Sequence, residues 1–364
     1  MRTRRPLLLA AAITTVALLA AACGGDGEAA PTTTRRTTTT TEPAPIAFTP
    51  LTGEPLFNAA DAALAGRPAV TVKVDNTAKG RPQAGLEHAD VIFEERVEGG
   101  TVRLLAVFHS DDADSVGPIR SVRSTDPPIV RPFGGVFVYS GGIPVFDQAA
   151  KALPLATVTE SNHATAFHYR KDRQRPFKTY AATDKLRTYA IEGALPPGAF
   201  GPWLAEDQAF APAGAEPAVG LHVRFGSRTT GEFDYDPKTK LWHRTSDGTA
   251  HTVAGGDRLA VRNVIVQFVG YRATGQRDSS GSQVDEAVVV GEGEAWIFSG
   301  GQLVKGRWSK GDPAVMTVFT DAAGTPISLP PGKTWVSLPA VGSPVTVTAA
   351  FPPETTTSTT RARQ

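Results

Sequence analysis

Alternation of apolar and polar positions marks most of the strands. Val70, Val72 and Val74 alternate with Thr71, Lys73 and Asp75, the period-two pattern of a strand with one apolar and one polar face. Val91-Ile92-Phe93 is a short apolar run that ends on Glu94-Glu95. From Val102 to Phe108 both parities are largely apolar, as in a strand covered on both sides. Val136-Phe137-Val138-Tyr139 runs into Ser140-Gly141-Gly142. Each apolar run therefore stops at a polar or glycine-rich corner.

Helical spacing is weaker and predicts helices over 57–65, 123–131, 145–153 and 183–192. Pro127-Pro128 restricts the second of these, since paired prolines fit only near a first turn. Pro196-Pro197-Gly198 and the prolines at 212 and 217 break the pattern, which places a domain boundary near 215. Beyond it the chain reads as short strands over 218–225, 230–235, 241–244, 261–269, 285–290, 294–298, 302–308 and 314–319, divided by turns such as Ser246-Asp247-Gly248. The expected fold class is α+β: a mixed α/β N-terminal domain over 47–214, then a β-rich domain over 215–351, an antiparallel sheet or a barrel.

The ends of the chain have a different character. Arg2, Arg4 and Arg5 precede an apolar stretch that closes on small residues before Cys23, the layout of an export leader over 1–22. Leu19-Ala20-Ala21-Ala22-Cys23 resembles the bacterial lipobox, in which cleavage exposes a cysteine that receives the lipid, palmitate among its acyl chains. Residues 23–46 are rich in Gly, Ala, Pro and Thr and read as a flexible linker, and 352–364 read as a disordered tail. The expected location is the outer face of the bacterial cytoplasmic membrane, with the membrane itself as a partner through the lipid.

Composition narrows the function classes. The 364 residues carry 37 Lys+Arg against 36 Asp+Glu, a balance that excludes a general nucleic-acid binder. Losing three arginines with the leader takes the formal net charge of +1 down to −2. One cysteine excludes a disulfide framework and a thiolate metal site. His163 and His168 lack a zinc spacing, and Asp111-Asp112-Ala113-Asp114 lacks the glycine and terminal glutamate of a calcium loop. No metal or cofactor is expected. Ser140-Gly141-Gly142 is not a hydrolase nucleophile elbow, and Gly332-Lys333-Thr334 reads as a turn rather than a phosphate loop. Trp242, Trp296, Trp308 and Trp335 are spaced too widely for a local aromatic box; most read as core, and an aromatic face for sugars is the alternative.

Several motifs together resemble the YerB-like bacterial lipoprotein family. They are Val74-Asp75-Asn76, Arg81-Pro82-Gln83-Ala84-Gly85-Leu86, Ala89-Asp90-Val91-Ile92-Phe93-Glu94, Glu98-Gly99-Gly100-Thr101-Val102-Arg103 and Gly117-Pro118-Ile119-Arg120-Ser121-Val122-Arg123. Asn263-Val264-Ile265-Val266-Gln267, Gly306-Arg307-Trp308 and Pro331-Gly332-Lys333-Thr334-Trp335 resemble its C-terminal part. The resemblance implies a two-domain envelope lipoprotein whose biochemical function is unassigned. One departure stands out: Pro176-Phe177-Lys178-Thr179-Tyr180 replaces a Pro-His-Asn-like element.

Candidate chemistry gathers at the strand ends. Asp75, Asn76, Glu94, Arg103, Arg120, Ser121 and Arg123 would share one ligand crevice if their strands run parallel, since carboxyl ends of parallel strands converge. The same groups read equally well as ion pairs that fix loop geometry. Arg120 and Arg123, three apart, would present two guanidiniums on one face if a helix starts there, suited to a carboxylate or phosphate. The leading expectation is a non-catalytic envelope binding or assembly protein that recognises an anionic or amide-rich cell-wall ligand or a protein partner. The alternative is a wall-polymer hydrolase or transferase with Glu94 and Asp126 as acid and base.

Overall fold

A computed structural model of the chain describes residues 44–227 and 229–351. The expected leader, the lipidated Cys23, most of the linker and the 352–364 tail lie outside the described residues. No helix among the described residues is long and apolar enough to cross a membrane.

The spine is an eleven-stranded mixed sheet. From one edge its order is Glu216–Pro217, Gln302–Lys310, Gly291–Ser299, Asn263–Gln267, Thr334–Leu338, Val91–Arg96, Val102–Phe108, Val70–Asp75, Val136–Val138 and Ala156–Val158, with Val318–Thr320 pairing beside Gln302–Lys310. Thr334–Leu338 lies parallel to both Asn263–Gln267 and Val91–Arg96. Val102–Phe108 runs antiparallel between Val91–Arg96 and Val70–Asp75, and Val136–Val138 is parallel to the latter. The sheet thus continues across the boundary near 215. The C-terminal strands do not form a sheet of their own throughout, as sequence alone suggests. Six of them extend the N-terminal sheet instead.

A second, six-stranded antiparallel sheet includes Gly220–Arg224, Thr230–Asp236, Leu241–Ser246 and Val345–Thr348. It covers one face of the spine, where Val72, Ile92, Leu104 and Phe108 share a core with Leu221, Phe233 and Trp242. On the other face Val91, Phe93, Leu105 and Val107 pack with Ile129, Val130 and Phe146 of two short helices, Asp126–Val130 and Pro144–Lys151. Three layers result, and the middle one is covered over most of both faces. All six residues of Val70–Asp75 are therefore buried, including Lys73 on the polar side of its alternation.

Helix boundaries follow local chemistry. Pro127 and Pro128 sit in the first turn of Asp126–Val130, where their missing N–H groups cost nothing, so this helix starts later than the spacing predicted. Asn58 caps Ala59–Ala65 by accepting the Asp61 N–H at 2.9 Å. Thr183–Arg187 is shorter than predicted. Among the described residues all four α-helices precede residue 188, and the longest has eight residues; the described chain is mostly β. Gly135 shows why a glycine is needed before Val136: φ is +66°, and a Cβ there would lie 1.9 Å from the Ala69 carbonyl oxygen.

Sharing one sheet makes the halves dependent on each other. A chain reduced to residues 47–214 would expose the apolar edge and face of Val91–Arg96. Thermal melts followed by circular dichroism are expected to show no cooperative transition for this fragment; a sharp two-state melt would contradict the account.

Candidate functional site

Because Val70–Asp75, Val91–Arg96 and Val136–Val138 run in one direction, their carboxyl ends do converge. Strand alternation then divides the polar groups between two faces. Arg103 lies opposite both Asp75 and Glu95 in register, so all three belong to the helix-covered face together with Lys73. Glu94 belongs to the other.

On the helix-covered face the groups form ion pairs with one another. Arg120 Nε meets Asp75 Oδ2 at 2.8 Å. Glu98 takes Arg123 Nε at 2.7 Å and also Arg123 Nη2, a two-pronged pair, and accepts Arg103 Nη2 at 3.2 Å. Ser121 contributes its carbonyl, 3.1 Å from Arg103 Nη1. Lys73 Nζ lies 2.7 Å from Asp126 Oδ1 and also contacts Glu95 Oε1. Four cations thus face four carboxylates, and most are deeply buried. Burial disfavours the charge on Glu98, but hydrogen bonding from Arg123 and the positive charges of Arg103 and Arg123 outweigh it and hold the carboxyl down to about 2.

Two expectations change here. No helix starts at Gly117 to Arg123, so the two guanidiniums share no helical face: Arg123 is engaged by Glu98 and Arg120 by Asp75. Arg120 alone keeps appreciable solvent access, 18% of its side chain, and stands 5.5 Å from the Phe177 ring centre, the residue that replaces the expected polar element. Glu94 and Asp126 do not form a pair across a cleft, since each meets its own cation on a different face of the sheet. His163 packs against Tyr189, and His168 Nε2 lies 3.0 Å from Ser115 Oγ.

Glu94 ties three segments together. Its Oε1 meets Arg244 Nη2 at 2.5 Å and Asn76 Nδ2 at 3.4 Å. Its Oε2 accepts Trp335 Nε1 at 3.1 Å and Ser337 Oγ at 3.3 Å. Ser337 and Trp335 reach it because Ser337 is the register partner of Glu94 and Trp335 is two residues earlier on the same face. The Arg244 guanidinium lies 4.8 Å from the Phe233 ring and 4.7 Å from the Trp335 ring, cation–π contacts strengthened by desolvation. Burial raises the Glu94 pKa, and Arg244 is the main opposing influence.

Above this pair a cleft of about 650 Å³ opens between the two sheets. It lies beside the amino ends of the parallel strands, lined by residues that precede them: Leu86 and Glu87, Arg262, and Gly332-Lys333. Ile92, Phe233, Trp335 and Arg244 form its floor, and Lys240, Arg258, Arg262 and Lys333 face Glu54, Glu87 and Glu206 around the rim. Lys333 Nζ donates to the Glu87 carbonyl, and Arg262 Nη1 donates to the Lys240 carbonyl at 3.3 Å. Sequence reasoning missed these cations. Arg244 left a signal, because it shares the buried parity of Trp242 and Ser246 in its strand. No group of three His, Cys, Asp or Glu among the described residues is arranged to hold a metal ion.

Comparison with known proteins adds a lineage. Residues 51–194 match the N-terminal domain of a protein family of unknown function, DUF3048, and residues 221–336 match its C-terminal domain. The chain is 25% identical over 275 residues to YerB, a candidate lipoprotein of Bacillus subtilis (strain 168), covering 74% of this chain and 80% of the relative. The crystal structure of the Bacillus subtilis YerB protein superposes with a TM-score of 0.69 at 22% identity, covering 82% of this chain and 99% of that one, which shows a shared fold.

Two outcomes test the polar groups. Glu94→Gln leaves the Arg244 charge buried without its counter-charge, and denaturant unfolding is expected to show a loss of about 3–5 kcal/mol; a loss within error of zero would contradict the pairing. Glu98 has a folded pKa of about 2 against an ordinary 4.5, so its contribution is complete above 4.5 and is lost as pH falls toward 2. Melting temperature between those limits is expected to fall more steeply for the natural chain than for Glu98→Gln.

Proposed function

Because the chain belongs to the DUF3048 family, carrying both of its domains in order, we propose that it is a lipid-anchored, non-catalytic envelope protein that binds an amide-rich, carboxylate-bearing cell-wall ligand in the cleft between its sheets. The name of the Bacillus subtilis relative supports the lipoprotein reading, as does Cys23 at the end of the apolar leader. The anchor would hold the body at the outer face of the cytoplasmic membrane.

The observation that carries the reading is the composition of the cleft. An aromatic and aliphatic floor suits the apolar faces of sugars or short side chains. The cleft lining also carries four cations, Lys240, Arg258, Arg262 and Lys333, and three carboxylates, Glu54, Glu87 and Glu206, a mixed set suited to a peptide that carries both carboxylate and amine. Lys240 and Arg258 are exposed and Arg262 and Lys333 half-exposed, so all four are within reach of a ligand. At the opposite end of the strands, Asp75, Arg103 and Arg123 are spent on internal pairs, which shifts ligand contact from that corner to the cleft. Arg120 remains at the corner's surface as a second, smaller point of contact. The hydrolase alternative gains nothing from the geometry, because Glu94 and Asp126 lie on different faces of the sheet, each held by a different cation.

Calorimetric titration with a purified muropeptide bearing free carboxylates and an amine tests this reading. Lys240→Ala with Arg258→Ala is expected to weaken binding by about tenfold, the sum of two exposed charge contacts, while Arg103→Lys leaves affinity within twofold. The muropeptide should be recovered intact. Equal affinity in the double variant, or a cleaved muropeptide, would overturn the reading.

A further inference from the structure

Lys73, Glu95 and Asp126 form a trio that the cleft does not use. All three are fully buried. Lys73 lies in the centre of a central strand, opposite Leu105 in register, and its face is packed with Ile129, Phe133 and Phe137. Nζ sits 2.7 Å from Asp126 Oδ1 and is also bonded to Glu95 Oε1. The second Asp126 oxygen, Oδ2, accepts the Arg123 backbone N–H at 2.7 Å. Glu95 Oε2 is buried with no hydrogen-bond partner.

As an ion cluster this arrangement is poorly balanced. Two carboxylates share one ammonium, and the penalty for burying charge falls on all three. The arrangement instead brings together the parts of an acyl transfer: an amine 2.7 Å from one oxygen of a carboxyl group, a backbone donor on the other oxygen, which would gain charge, and a second carboxyl bonded to the same amine. We propose that Lys73 Nζ and Asp126 condense to a buried amide, with Glu95 carrying the proton, so that the central sheet and the helix starting at Asp126 are covalently joined.

The reaction balances without an added reagent. The ammonium of Lys73 gives one proton to Asp126 Oδ1, and the freed lone pair attacks Cγ. A nitrogen–carbon bond forms, and the negative charge on Oδ2 is met by the Arg123 N–H. Glu95 takes a second proton from nitrogen and delivers it to Oδ1. The Cγ–Oδ1 bond breaks, and one water leaves. Nothing is oxidised or reduced, and Glu95 returns to its starting state. Burial, with the neighbouring Asp126 charge adding to it against the pull of Lys73, holds Glu95 up to about 7, suited to giving and taking a proton near neutrality. A neutral amide then replaces two buried charges. In a chain with a single cysteine, the bond closes a loop between positions 53 residues apart, as a disulfide would.

Peptide mapping by mass spectrometry of the full chain, purified folded from membranes, tests the proposal. The peptide containing Lys73 is expected joined to the one containing Asp126, lighter than their sum by one water, in most molecules. Recovery of the two peptides unjoined from the natural folded chain would overturn it, whatever the variants do. Glu95→Gln, checked for folding by circular dichroism, is expected to yield the unjoined peptides; complete joining in that variant would remove Glu95 from the mechanism.

Discussion

The parallel pairing of Thr334–Leu338 with Val91–Arg96 is the constraint on which the rest of the structure depends. It fuses strands from the two halves of the chain into one sheet and fixes which side chains meet. Ser337 falls opposite Glu94, Trp335 falls opposite Ile92, and the aromatic floor and the buried carboxylate come into contact. Arg244 of the second sheet then has a site prepared for it, between two rings and against one carboxylate. A slip of one residue would turn Trp335 and Ser337 to the helix-covered face and leave Glu94 alone in an apolar layer.

Burying this many charges costs more in desolvation than isolated pairs return, and the structure offsets part of the cost by giving Glu94 and Glu98 several partners each. Glu94 meets four side chains and Glu98 two arginines. Such a network tolerates few alternative packings, so it specifies the junction of layers more than it adds stability. It also explains where the hollow lies. Open α/β sheets bind ligands at the carboxyl ends of their strands, but here those ends are filled by ion pairs. The space between the sheets opens at the amino ends instead.

Much of this was legible in the sequence. Alternation located the strands at 70–75 and 102–108, the prolines at 127 and 128 confined a helix to its first turn, and the glycine corners marked the strand ends. The convergence of polar residues at those ends was legible as well. The pairing of Glu94 with Trp335 was not, because residues 241 positions apart leave no turn signal when their strands run parallel. The burial of Lys73 was not legible either, because alternation marks its face only as polar; the helical layer that covers that face is built from short and weakly periodic segments. Arg244 left only the parity it shares with Trp242 and Ser246, a weak signal because an arginine is seldom buried.

Native-state hydrogen exchange in the two junction strands tests the central claim most directly. If one sheet joins the halves, the slow amides of Val91–Arg96 and of Thr334–Leu338 open together, with the same free energy and the same denaturant dependence as global unfolding. Exchange of either strand through a smaller opening, while the other stays protected, would contradict the account.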